Sequence, residues 1–262
     1  MHNLIILGSG RSGTSMAAGL FHQSGCFMGE ALHAPNPANP KGFFEDKEIN
    51  AINEAILSPF LPSRPKGMIG DLFFSKRLAE GHMWLARIPV GTHMTCTDLI
   101  QNRIRRLTAR EPFCFKDPRF SYTLPCWRPL VKNIKYLVIF RHPADTAQSI
   151  AKECQEAGYL RSLSITREDI LETWELMYSH ILASYREDGT WLFLHYDQML
   201  DQRGLDRLET FADVKLDRSF PDSSLKRSSS QKSIPAETNR LYKKLCQMAN
   251  YRIHQLEDAL TD

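Results

Sequence analysis

Two stretches of this chain carry residue types suited to holding an anion. The first is Gly8-Ser9-Gly10-Arg11-Ser12-Gly13-Thr14-Ser15, which follows the apolar run at 4–7. Glycines let a main chain approach a ligand closely. Successive N–H groups at the start of a helix form a cradle for phosphate oxygens. The spacing of Met16, Ala17, Leu20 and Phe21 predicts that helix, and Gly25 is placed to end it. The turn matches the phosphate loop G-x-x-x-x-G-K-S/T except that Thr14 stands in the lysine position. With Arg11 inside the loop, and no strand ending in an aspartate for magnesium, an ordinary ATPase or kinase loop fits less well. A purely structural glycine turn after a first strand is the plainer alternative.

The second stretch is Ile139-Phe140-Arg141-His142-Pro143-Ala144-Asp145-Thr146-Ala147-Gln148-Ser149. The apolar run at 134–140 predicts a strand that delivers Arg141 at its end, and Pro143 suits an early helix position. Ser149, eight residues after Arg141, then falls about two turns along that helix. A guanidinium offers phosphate a planar two-pronged donor, and a hydroxyl adds a third hydrogen bond. The competing reading makes Arg141 a surface ion-pair partner of Asp145. Taken together, the two stretches describe a clamp for a ligand phosphorylated at both ends.

Arg11-Ser12-Gly13-Thr14-Ser15 resembles the R/K-S-G-T-T/S loop of the sulfotransferases, and residues 141–149 resemble their R-x-P/D-x-D-x-x-x-S segment. The resemblance runs in order from residue 4 to about 200, and is closer to bacterial and tyrosylprotein-type members than to cytosolic steroid or phenol enzymes. It implies an α/β, three-layer fold with a central parallel sheet of the phosphate-loop, sulfotransferase-like kind. It implies 3′-phosphoadenosine 5′-phosphosulfate as sulfonate donor, with no metal. Residues Gly10, Arg11, Ser12, Gly13, Thr14 and Ser15 would hold the 5′-phosphosulfate, and Arg141 with Ser149 the 3′-phosphate. Lys116-Asp117-Pro118-Arg119 resembles the segment whose lysine reaches the sulfonate; a strand-end charge is the plain reading of Lys116. Leu194-His195-Tyr196-Asp197 resembles the segment whose tyrosine lies near the adenine, although a tyrosine packed on a helix would look the same. Arg227, beside the serines at 228–230, sits where family members close a loop over the nucleotide, but the family's R-K-G-x-x-G version is missing.

Sulfonate transfer is an in-line displacement at sulfur, and charge builds on the bridging oxygen as the nucleotide leaves. Fixed cations around that oxygen lower the barrier, and Arg11 and Lys116 are the expected ones. The acceptor hydroxyl also needs a base. Many family members carry a histidine two residues after the strand-end lysine, where this chain has Pro118. Asn39-Pro40-Lys41-Gly42-Phe43-Phe44-Glu45 resembles the N-P-x-G-F/Y-x-E segment of bacterial relatives, which makes Glu45 the expected base. Glu30 is the runner-up, and Asp46 and His33 stay open. A helix N-terminal charge is the plain reading of Glu45. The alternatives to a sulfotransferase are an ATP-dependent small-molecule kinase and a catalytically silent nucleotide-binding relative.

The elements that must position these residues follow from apolar spacing. Strands are expected near 4–7, 112–116, 134–140 and 191–194, all short apolar runs of the buried parallel type. Helices are expected over 45–57, 99–109, 122–130, 144–157, 166–186 and 235–260. Prolines forbid regular structure at 29–42. Residues 58–95 have no clear period and read as a substrate cap, and 219–262 as a helical closing segment of one domain spanning 1–262. The net charge of +3 argues against a dedicated nucleic-acid binder. The six cysteines show no C-x-x-C spacing, so buried reduced thiols are expected and no zinc site. The run at 4–7 is too short for a signal peptide or membrane span, which suggests a cytoplasmic protein. The acceptor is left open among small molecules, lipids and carbohydrates.

Overall fold

Continuous apolar runs fill the centre of the molecule. A computed structural model describes residues 2–36, 39–185, 189–221 and 233–252. Strands β1 (Asn3–Leu7), β2 (Cys114–Lys116), β3 (Ile134–Phe140) and β4 (Thr190–His195) form one parallel sheet in the order β2-β1-β3-β4. Every residue of β1 is buried, as both faces of the sheet are covered by helices. Ile5 and Leu7 face a core built with α2 (Lys47–Leu57), α4 (Asp98–Leu107), α5 (Phe120–Trp127), α7 (Arg167–Tyr185) and α9 (Ala236–Ala249). Leu4 and Ile6 face the other core, built with α1 (Thr14–Gln23) and α8 (Gln202–Ala212). The result is the three-layer α/β arrangement expected from the sequence.

The register places the functional stretches. Ile6 lies opposite both Lys116 and Leu137, and Phe140 lies opposite His195. The turn after β1, Lys116, Arg141 and Tyr196 therefore leave the sheet at one common edge. Chain order reverses between β1 and β3, the place where open parallel sheets present a crevice to ligands.

Several boundaries differ from expectation. Asp46 caps α2, accepting from the backbone N–H of Glu48 at 2.9 Å and Ile49 at 3.2 Å, so Glu45 stands before the helix rather than in it. The final helix stops at Ala249 rather than 260, because Asn250 adopts a left-handed conformation (φ 51°) that ends it. Residues 253–262 lie outside the described part. The segment 58–95 is less irregular than its sequence suggests. It contains α3 (Met68–Phe73) and 3₁₀ turns at Ser58–Phe60 and Met83–Leu85, the second of which packs with α7 and α6 (Pro143–Glu156) in a third apolar cluster. Helix α8 was not expected at all, although Leu205, Leu208 and Ala212 are helix-spaced and buried, and Asp201 caps it.

Candidate functional site

The turn after β1 is held in a shape few residues tolerate. Gly8 has φ 139°, and a Cβ there would lie 2.2 Å from the Ile139 carbonyl oxygen, so β3 passes too close for any side chain. Arg11 itself has φ 65°, a strained conformation for a non-glycine residue. Tyr178 of α7 braces the turn from beneath: its hydroxyl donates to Ile139 O at 2.7 Å and accepts from Ser9 N at 3.2 Å. Burial pushes that phenol up to about 12, so it stays a neutral donor. Helix α1 then starts after Gly13 with no side-chain cap and no acidic residue in its first turn. That leaves an N-terminus whose partial positive charge suits an anion.

This turn forms one wall of a cavity of about 640 Å³. Gly10, Arg11, Gly13, Thr14 and Ser15 line it, and so do Arg141 and Ser149 from the end of β3 and α6. The two glycine- and arginine-bearing stretches therefore face the same space. Arg11 spans them, with Nε donating to Ser149 Oγ at 3.1 Å and Nη1 lying 3.1 Å from Glu153 Oε2. Arg141 is not a surface side chain. It is buried in the cavity wall, 3.6 Å from Asp145 and with its guanidinium 4.8 Å over the Tyr196 ring. Tyr196 also lines the cavity and abuts Gly13, where a Cβ would fall 2.5 Å from its ring.

Lys116 and Glu45 lie in the cavity wall and form an ion pair, with Lys116 Nζ also 3.1 Å from Ser15 Oγ. A chain of buried polar groups supports them. Asn50 donates to Glu45 Oε2 at 3.2 Å and to Asp117 Oδ2 at 2.7 Å. Asp117, fully buried, also accepts from Asn53 at 3.0 Å and from Arg119 Nη1 at 3.0 Å, and Arg119 Nη2 donates to Glu54 at 2.7 Å. Glu54 in turn accepts from Gly81 N at 2.7 Å, which ties the 58–95 segment to the cavity wall. Lys116 is thus not a strand-end charge lacking partners.

Some expected residues are elsewhere. The Ser12 hydroxyl turns into the protein, 2.7 Å from Ser9 Oγ and 3.4 Å from Thr146 Oγ1, and its N–H is used by Ser9 O. Ser12 therefore shapes the turn without lining the cavity. Asp46 is spent on backbone N–H groups, including Ala31 N at 2.7 Å, and is no free base. Glu30 is exposed and not part of the lining, whereas His33 lines the cavity as an exposed side chain. Arg227 lies outside the described residues.

Three lining or bracing groups lie outside the motifs legible in the sequence. Trp84 crowds Gly10, with its ring where a Cβ would come within 2.5 Å. Glu153 holds Arg11, and Asn50 bridges two carboxylates. Only for Glu153 was there a local signal, since it lies one helical turn beyond Ser149 on the same face.

No protein-family model and no curated protein matches the sequence significantly. Solved structures do resemble it. The sulfotransferase domain from the curacin biosynthetic pathway aligns with a TM-score of 0.54 at 16% identity, covering 96% of this chain and 98% of that one. The sulfotransferase domain of the Synechococcus PCC 7002 olefin synthase gives 0.54 at 15% identity over 96% and 95% of the two chains. A sulfotransferase from Alicyclobacillus acidocaldarius gives 0.52 at 10% identity over 97% of both. At these identities the likeness is one of architecture, and the chain has the sulfotransferase fold.

Proposed function

We propose that the protein is a sulfotransferase that takes a sulfonate group from 3′-phosphoadenosine 5′-phosphosulfate and places it on a hydroxyl-bearing acceptor. The observation that carries this reading is the single cavity shared by the uncapped start of α1, Arg11, Lys116, Arg141 and Ser149. These groups fit a ligand that is anionic at both ends. Arg141 and Ser149 hold the 3′-phosphate; the N–H groups after Gly13, with Thr14 and Ser15, hold the 5′ end. Tyr196 and Trp84 supply apolar surface between them.

Bound there, the donor substrate supplies a sulfonate carried on a phosphate leaving group. Arg11 and Lys116 offset the charge that develops on the leaving oxygen. Glu45 accepts the acceptor's hydroxyl proton, and Asn50 fixes the carboxylate through its other oxygen. The ion pair between Lys116 and Glu45 keeps base and electrophilic cation adjacent before ligand enters. The six free thiols suit a reducing compartment and so support work in the cytoplasm. The acceptor class stays broad: a small molecule, a lipid or a carbohydrate.

Thermal shift with two nucleotides, together with a donor-turnover assay, tests the reading. Adenosine 3′,5′-bisphosphate should stabilise the protein without added metal, and the donor should be consumed when a suitable acceptor is supplied. Stronger stabilisation by ATP with magnesium would favour a kinase instead. Tight bisphosphate binding with no turnover across a broad acceptor panel would mark a silent relative.

A further inference from the structure

Among the described residues, large apolar side chains are exposed singly at Val90, Leu99, Tyr159 and Tyr185, but four sit together on α3. Met68 is 80% exposed, Ile69 61%, Leu72 68% and Phe73 72%. Positions i, i+1, i+4 and i+5 share one helix face. The opposite side is occupied: Gly70 is buried so tightly that a Cβ would lie 1.8 Å from the Pro65 carbonyl oxygen. The apolar face is thus a fixed outward ridge rather than a core face turned the wrong way. Clustered exposure of this kind marks an interaction surface.

Charge around the ridge identifies the partner. Residues 64–80 carry Arg64, Lys66, Lys76 and Arg77 against only Asp71 and Glu80. Asp71 is taken by Arg64 at 2.8 Å, and Arg64 is further anchored to Ser162. Arg77 folds over the Phe74 ring at 4.5 Å. Lys76 is exposed, and Lys66 is 92% exposed, with a solvent-screened contact to Glu80 at 3.3 Å. An apolar ridge flanked by cations is complementary to a surface that is apolar within and anionic at its face. We propose that α3 docks on the surface of an anionic lipid bilayer.

A second copy of the chain fits less well. Four side chains on a six-residue helix offer a few hundred Å², short of the roughly 800 Å² per partner of a stable protein interface. A two-fold contact through this face would also bring the lysines of both copies together. A bilayer requires neither. Apolar insertion and a basic rim are the two signals that together hold a peripheral protein at a membrane. The ridge is also beside the cavity, because Lys66 contacts Glu80 and Glu80 is part of the cavity lining. Docking therefore brings the cavity rim to headgroup level. No helix among the described residues is long and apolar enough to cross a membrane, so α3 lies on the surface.

Co-sedimentation of the full chain with vesicles tests this. Wild type should pellet with phosphatidylcholine vesicles containing phosphatidylserine and pellet poorly with pure phosphatidylcholine. Added salt should lower the partition coefficient roughly tenfold. The double variant Leu72→Asp/Phe73→Asp should lower it by about tenfold or more, as should Lys66→Glu/Lys76→Glu, whose ridge is intact. Both change exposed side chains and should melt as wild type does. Wild type left in the supernatant with every vesicle overturns the proposal, and so do variants that both bind as strongly as wild type. Sedimentation equilibrium showing a wild-type dimer that the Asp variant abolishes, without vesicle recruitment, assigns the ridge to a second copy instead.

Discussion

Arg11 Nε donates to Ser149 Oγ at 3.1 Å across 138 residues of sequence. The contact exists because β1 and β3 are parallel neighbours in register, so the turn after one strand meets the helix after the other. It means that a ligand reaching Ser149 must displace or share Arg11. The two ends of the proposed clamp are already in communication before a nucleotide arrives.

Arg141 and Arg11 should then respond differently to truncation. Arg141→Ala removes a charged donor from the 3′-phosphate end and should weaken adenosine 3′,5′-bisphosphate binding roughly 10- to 100-fold. Arg11→Ala should lower turnover more than affinity, since its proposed task lies at the leaving oxygen. Calorimetry and donor-turnover assays separate the two. Unchanged affinity in Arg141→Ala would mean that the clamp is assigned to the wrong residues.

Glu45 and Asp46 are adjacent carboxylates with different surroundings, and they allow the base to be tested cleanly. Asp46 accepts from three backbone N–H groups, those of Ala31, Glu48 and Ile49. Asp46→Ala should cost about 1–2 kcal/mol or more of stability, with turnover per folded molecule retained. Glu45→Gln keeps the shape and an acceptor for Lys116, and should cut turnover by about 10²–10⁴. Wild-type rates in Glu45→Gln would pass the role to another group, with His33 the remaining candidate that lines the cavity.

What could be read in the sequence was local. A continuous apolar run, glycines and hydroxyls mark β1 and its turn, because a buried parallel strand and a close backbone approach each demand those residue types. Arg141 and Ser149 were legible for the same reason, their spacing being set by one strand end and one helix. Contacts between distant segments left no such mark. Trp84 against Gly10 and Glu153 against Arg11 depend on how the 58–95 segment and α6 dock. Helix α3 was hidden because its apolar residues face outward, so no buried stripe betrays it. The end of α9 was misplaced because the residues after Asn250 are acceptable in a helix, and the backbone conformation at Asn250 decides the matter.

Gly13 combines two constraints, and Gly25 offers a control with one. Both have positive φ, 97° and 83°. A Cβ at Gly13 would strike Tyr196 at 2.5 Å, whereas nothing lies within 4 Å of one at Gly25. Gly25→Ala should cost about 1 kcal/mol of backbone strain. Gly13→Ala should cost more, about 2–3 kcal/mol, and should also weaken bisphosphate binding because Tyr196 and the start of α1 must move. Denaturant midpoints give the first comparison and calorimetry the second. Equal midpoints for the two variants would show that the Tyr196 contact relaxes freely.

Acid should destabilise the fold through buried histidines. Burial lowers the pKa of His180, His142 and His82 below the ordinary histidine value. His180 donates through Nε2 to the carbonyls of Ile88 at 3.0 Å and Pro89 at 3.1 Å. His142 needs an unprotonated Nδ1 to accept from Ala144 N at 3.3 Å and cap α6 beside Arg141. For each group the unfolded chain binds the proton more readily than the folded one. Their contribution is therefore fully present above about pH 6.5 and declines as pH falls from there toward the lowered folded values. The melting temperature should drop over that window, and His180→Gln, which keeps a donor, should show a shallower drop. A wild-type melting temperature that stays flat across the window would mean that these rings take up protons as easily in the folded chain as in the unfolded one.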